Sequence, residues 1–164
     1  DWVYILDKGP MSARTLPVTK YGRALIESYI EFLIVLKQRV RLRNPVIASQ
    51  IDDVLQSQMP LFCYWCADKL FPITVSYLHN VLRDDIPFHM NWHRHSIATE
   101  LVARGVCRSK IAAFMGHHPA LDHHFSKFSC SEFSWLTDVC RMVEEIVEEW
   151  ALPILCLPLQ GALR

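Results

Sequence analysis

Five of the chain's eight histidines fall within residues 89–118, and with Arg94 they occupy the two ends of that stretch rather than its middle. Asn91, His93, Arg94 and His95 stand near its start; Gly116, His117 and His118 close it. These residue types suit an anion. A guanidinium is planar, permanently charged and able to hold a phosphate through two parallel hydrogen bonds. An imidazole can donate a hydrogen bond to a phosphate oxygen or carry a proton near neutral pH. Metal-free phosphodiester transfer needs cations on the non-bridging oxygens, an acid for the leaving oxygen and an oriented nucleophile. Arg94 is the candidate clamp, and His117 its candidate partner.

The residues between must bring those ends together. Ile97, Ala98, Leu101 and Val102 recur at one apolar face of a helix. Gly105 stands where a left-handed cap belongs and is followed by apolar Val106. A second short helical run, over 111–115, ends at Gly116. Two helices joined at Gly105 would place Arg94 and His117 in one neighbourhood. The ordinary alternative is a helix–turn–helix piece of core with solvated ends.

The spacing is more specific than that alternative requires. Arg94-His95 is followed after eleven residues by Gly105 and after twenty-three by His117, in Met115-Gly116-His117. This resembles the tyrosine recombinases, or phage-type integrases, which carry His-x-x-Arg-His, a helix ending in Gly-Val, and Leu-Gly-His at this separation. Asp7-Lys8-Gly9 with Arg14-x-x-Pro17 is similar to that family's hairpin, whose lysine protonates the leaving 5′ oxygen. The resemblance implies a mainly α catalytic domain with a small antiparallel β-hairpin. It further implies site-specific DNA recombination or integration through metal-free strand transfer on double-stranded DNA, with no cofactor. By that resemblance the catalytic set is Lys8, Asn91, Arg94 and His117.

Three positions depart from the family pattern. Asn91 stands where the family has a histidine, and an amide can hydrogen-bond but cannot shuttle a proton. No tyrosine follows Tyr77; the nucleophile position falls at Ser126, or at Phe128 with a two-residue loop shift. The family's first catalytic arginine precedes the hairpin, where this chain begins. The chain also lacks an initiator Met and starts inside a strand pattern, so a piece of a longer protein is expected.

At 164 residues, one domain is expected: a hairpin over 1–18, a helical body over 19–128, and a C-terminal helix and tail over 129–164. Net charge is zero, but residues 1–128 hold 15 Lys and Arg against 11 Asp and Glu, while 129–164 hold 2 against 6. The body is therefore mildly basic, and DNA contact is expected from Arg14, Arg39, Arg41, Arg43 and His95. Mean hydropathy is +0.13, yet no apolar run reaches the ~18–20 residues that cross a bilayer. No membrane association is expected, and six cysteines without a secretory signal point to reduced thiols in the cytoplasm. Cys63-x-x-Cys66 with His117-His118 or His123-His124 offers a competing zinc site, or failing that a redox pair.

The remaining pattern predicts strands over 2–6 and 15–18 and a helix capped by Thr19 that runs to about Lys37. Residues 37–43, with alternating cations, read as a short strand or a frayed helix end. A helix over 46–57 would bury Val46, Ile47, Ile51, Val54 and Leu55. The aromatic run 61–71 reads as buried throughout. A helix over 72–83 would turn Val75, Leu78, Val81 and Leu82 inward. The last helix starts at Ser131 or Ser134 and would bury Leu136, Val139, Val143, Ile146 and Trp150, with glutamates opposite. The apolar tail after Pro153 would pack on its own core or, as in the resembled family, on a neighbouring protomer, giving a homo-oligomer on DNA. Beside the recombinase reading stand a non-catalytic DNA-binding or assembly module and a zinc-stabilised interaction domain.

Overall fold

Thr19 starts the first long helix as its position predicts. Its Oγ1 accepts the Gly22 N–H at 3.0 Å, satisfying one of the amides that every helix start leaves without a partner. Elements of this kind are described for residues 2–5, 14–82, 91–116 and 130–153 of the computed structural model. The described chain is mainly helical, with two small antiparallel hairpins. Its order is β1 (Trp2–Ile5), β2 (Arg14–Pro17), α1 (Lys20–Val40), α2 (Pro45–Leu55), β3 (Cys63–Cys66), β4 (Lys69–Pro72), α3 (Val75–Leu82), α4 (Trp92–Ala103), α5 (Arg108–Met115) and α6 (Cys130–Glu149). The described residues form two compact units, one of 2–5, 14–24, 91–116 and 130–153 and one of 25–82.

In the first unit β1 and β2 pair antiparallel, Trp2 opposite Pro17 and Ile5 opposite Arg14. The core of this unit is where α4 and α5 meet α6. Leu101, Val139 and Ile146 are wholly buried there, with Ile111 and Val143 nearly so. Each such side chain contributes about 1.5–3 kcal/mol by leaving water. Polar links fix the register of these helices. Lys110 reaches Asp138 at 2.9 Å, and the Arg104 fork holds both oxygens of Glu149, at 3.0 and 2.5 Å. Glu144 on α6 accepts the Lys20 N–H at the start of α1 at 2.6 Å, a carboxylate at the positive end of a helix.

In the second unit Leu33, Leu36 and Val40 of α1 pack with Ile47, Ile51 and Val54 of α2. Asn44 caps α2, its Oδ1 accepting the Ile47 N–H at 3.1 Å, and Pro45 occupies the first turn. Proline is suited to this opening position, where its missing N–H would have had no helical partner. β3 and β4 form a second hairpin, Cys63 opposite Pro72 and Cys66 opposite Lys69. It sends Leu70 into the core.

Several expectations need correction. Of the two readings of residues 37–43 the helix end holds and the strand does not, since α1 continues through Val40, three residues past Lys37, and 41–43 turn. Lys37 and Arg39 in its last turn complement the negative end of the helix dipole. Val46 is 53% exposed, and Trp150, one residue past α6, is 44% exposed. The run 61–71 is not buried throughout, because strand alternation turns Tyr64 and Phe71 to the face opposite Leu70. Residues 72–74 precede α3, and that helix buries none of its side chains; Val75 is 76% exposed. Among the described residues no helix is long and apolar enough to cross a membrane. The tail from residue 154 onward lies outside the described residues, so the docking expected of it does too.

Leu101→Ala should destabilise the chain by about 2–5 kcal/mol in urea unfolding, because the site is wholly buried between three helices. A loss under about 1 kcal/mol would contradict that packing. The Arg104 guanidinium bound to Glu149 holds that carboxyl below its ordinary range. The folded state therefore favours the ionised form. The gain is present above the ordinary carboxylate pKa and fades as pH falls through the depressed one. Between about pH 5 and pH 3, the melting temperature of Glu149→Gln should fall less steeply than that of the wild type.

Candidate functional site

The groove that holds Asn91, Arg94 and His95 lies between α4 and α5 along the edge of the core, with Ala98, Ile111 and Met115 shared between the two. On α4, Arg94, His95, Ala98 and Val102 follow one another at helical spacing behind Asn91, and all five line it. On α5, Arg108, Ile111, Ala112 and Met115 do the same. The groove encloses about 590 Å³. Its middle is apolar and its ends carry cations, a distribution set by where polar residues fall along two short helices.

The turn between the helices is built as its sequence predicts. Gly105 has a φ of +78°, a left-handed conformation that glycine adopts without strain. Its N–H bonds to the Val102 carbonyl and the Val106 N–H to the Leu101 carbonyl, both at 3.0 Å. This is the paired pattern of a Schellman cap, with Val106 packed into the same core as Leu101. The chain thereby reverses, and the start of α4 comes beside the end of α5.

Arg94 records that arrangement directly. Its Nη2 donates to the Met115 carbonyl at 2.7 Å, a charge-assisted bond to the negative end of α5. α5 then ends at Gly116, which is left-handed with φ +74° and whose N–H bonds to the Ala113 carbonyl at 3.1 Å. Arg94 thus sits at the turn that immediately precedes His117 in sequence. Asn91 lies at the N-cap of α4, where its backbone carbonyl accepts the Arg94 and His95 N–H groups at 3.0 and 3.2 Å. Its side chain makes no capping bond.

The other predicted residues divide into two groups. Lys8, His117, Ser126 and Phe128 lie outside the described residues. Arg14 is described by its backbone alone, at the first position of β2. Arg39, Arg41 and Arg43 are exposed at the C-terminal end of α1 and the turn after it, in the second unit. His95 is in the groove. Arg108 is the residue that sequence reading missed. The signal was available, since Arg108, Ile111, Ala112 and Met115 fall at i, i+3, i+4 and i+7.

The Cys63-x-x-Cys66 pair lies along β3, where residues three apart face opposite sides of the strand. Cys63 Sγ donates to the Pro60 carbonyl at 3.1 Å, and burial raises its pKa. A strand is a poor frame for two thiolates on one metal. Among the described residues no group of three His, Cys, Asp or Glu is placed to hold an ion. The histidines at 117, 118, 123 and 124 lie outside the described residues.

Cys107 opens α5 and lines a second hollow of about 350 Å³ with Lys110 and Asp138. The Ser109 backbone amide and hydroxyl, then the Lys110 amide, stabilise its thiolate and lower its pKa. Cys140, buried on α6, is instead pushed up to about 11, chiefly by desolvation. Iodoacetamide at neutral pH should therefore modify Cys107 well before Cys140 in the native chain, as read by peptide mass spectrometry. Equal labelling would overturn both assignments.

No family model, no curated protein and no solved structure matches this chain.

Proposed function

We propose that the chain belongs to a DNA strand-transfer protein of the tyrosine-recombinase type, with a recombinase-like catalytic fold, and that the α4–α5 groove is its phosphate site. The observation carrying this reading is the Arg94–Met115 bond, which puts the predicted clamp at the helix end that leads into His117. The chemistry would run without metal. Arg94 would neutralise the non-bridging oxygens, His117 would hydrogen-bond them or pass a proton, and Lys8 would protonate the leaving oxygen. Exposed His95 beside Arg94 would add a donor to the same phosphate or its neighbour.

A second reading is favoured by one specific observation. No tyrosine follows Tyr77, so the chain has the phosphate-holding residues of this chemistry without its usual nucleophile. In that case the groove binds DNA and performs no cleavage. Incubating the full chain with a nicked suicide duplex, then resolving it under denaturing conditions, separates the two. A covalent protein–DNA adduct supports strand transfer, with Ser126 the first residue to substitute. Salt-sensitive binding without an adduct supports the binding module. No binding at low salt would overturn both.

Arg94→Gln should leave a cooperative thermal transition at a lower midpoint, because it loses one charge-assisted bond worth about 1.5–3 kcal/mol. It should also weaken DNA binding and reduce the slope of log K against log salt by about 0.9, the share of one phosphate contact. An unchanged slope in a folded variant would remove Arg94 from the interface.

A further inference from the structure

We infer that Arg108 is a second phosphate contact, placed to engage a different phosphate from Arg94 on the same DNA strand; this rests on the DNA-binding reading above. Arg108 is exposed at the first position of α5 and lines the groove at the end opposite Arg94. The other cations near it are already committed. Arg104 is held by Glu100 and Glu149, and Lys110 by Asp138. Among the described residues Arg108 has no acidic partner, so its guanidinium faces solvent at the mouth of the groove.

The separation follows from helix geometry. Arg94 is tied to Met115, seven residues beyond Arg108 on the same face of α5. Seven residues at 1.5 Å rise amount to about 10 Å along the helix axis. Side chains on a helix lean toward its N-terminus, so Arg108 extends away from Met115 and from the Arg94 guanidinium tied there, and the two groups are set toward separate phosphates. Along one strand of a duplex, charges recur about every 3.4 Å of axis. That rise is measured along the duplex axis, so the two arginines suit two separate phosphates of one strand, their nucleotide spacing set by how the groove lies on the duplex. Ala98, Ile111 and Ala112 line the groove between them; having no charge to offer, they leave the intervening backbone unclamped. α5 carries no acidic residue in its first turn, so nothing there opposes an anion.

The test compares salt dependence for the full chain and for Arg94→Gln, Arg108→Gln and the double variant, each on a random-sequence DNA duplex. Glutamine keeps helix propensity close to that of arginine, and circular dichroism with thermal melting verifies each fold. Two independent contacts require each single variant to lower the magnitude of the slope by about 0.9 and the double variant by about 1.8. A double variant no different from the singles would mean one shared phosphate and would overturn the inference. An unchanged slope in Arg108→Gln alone would also overturn it, while leaving the groove's DNA-binding role intact. A wild-type chain that shows no salt-dependent binding would overturn the DNA-binding reading itself.

Discussion

A single left-handed residue, Gly105, is the constraint on which the candidate site depends. A side chain at this position would meet nothing within 4 Å, so the requirement for glycine is one of backbone conformation alone. A left-handed residue with a Cβ costs about 1–2 kcal/mol. The reversal it permits sends α5 back along α4, with the two cap bonds from Gly105 and Val106 closing the end of α4. Leu101 and Ile111 then enter the same core against α6. The groove runs along the edge of that core, and Arg94 meets Met115 because the start of one helix now lies beside the end of the other.

Local signals of this kind were legible in the residues. Thr19 caps α1, and Gly105 and Gly116 end their helices in the left-handed conformation. The second hairpin was not legible. Its two-residue turn is Ala67-Asp68, with Ala67 at φ +51°. It lacks the glycine or asparagine that usually marks such a turn. Asn44 Nδ2 donates to Asp68 Oδ1 at 3.2 Å, a tertiary contact that helps fix the turn and has no local signature. Apolar residues on both strand faces also read as full burial. The outward face instead stacks with α3: the Tyr64 ring centroid lies 3.7 Å from that of Tyr77 on α3 and 5.7 Å from that of Phe71 across the hairpin. Exposed aromatics can shed part of their surface in this way without entering a core.

Periodicity also overstated burial elsewhere, for a common reason. It identifies the face of a helix that could be covered, not the length over which a neighbour covers it. On α6, Val139 and Ile146 are wholly buried, yet Trp150 continues the same spacing beyond the end of the helix and is largely uncovered. Val46 precedes the buried face of α2, and α3 has a marked apolar side with no buried residue. The groove was partly legible for the converse reason. Asn91, Arg94 and His95 were identified by their match to a motif. Arg108 has no place in that motif; its spacing with Ile111, Ala112 and Met115 marks one face of α5, and the pairing of α4 with α5 turns that face to the groove.

The cations of the two units differ in what explains them. In α1, Lys37 and Arg39 occupy the last turn, where the helix dipole favours positive charge. Lys37 also bonds Asp52 at 2.5 Å, so folding alone accounts for that residue. Arg108 has the opposite placement. It stands in the first turn of α5, which offers no acid to offset it. A cation there opposes the dipole at a cost of about 0.3–1 kcal/mol. Arg94 shares that unfavourable position on α4 but recovers energy through the Met115 carbonyl. Folding explains Arg94 in part and does not explain Arg108. Two helix starts are thus left positive at opposite ends of one groove whose interior carries no counter-charge, and the proposed DNA phosphates would supply the charge that folding does not.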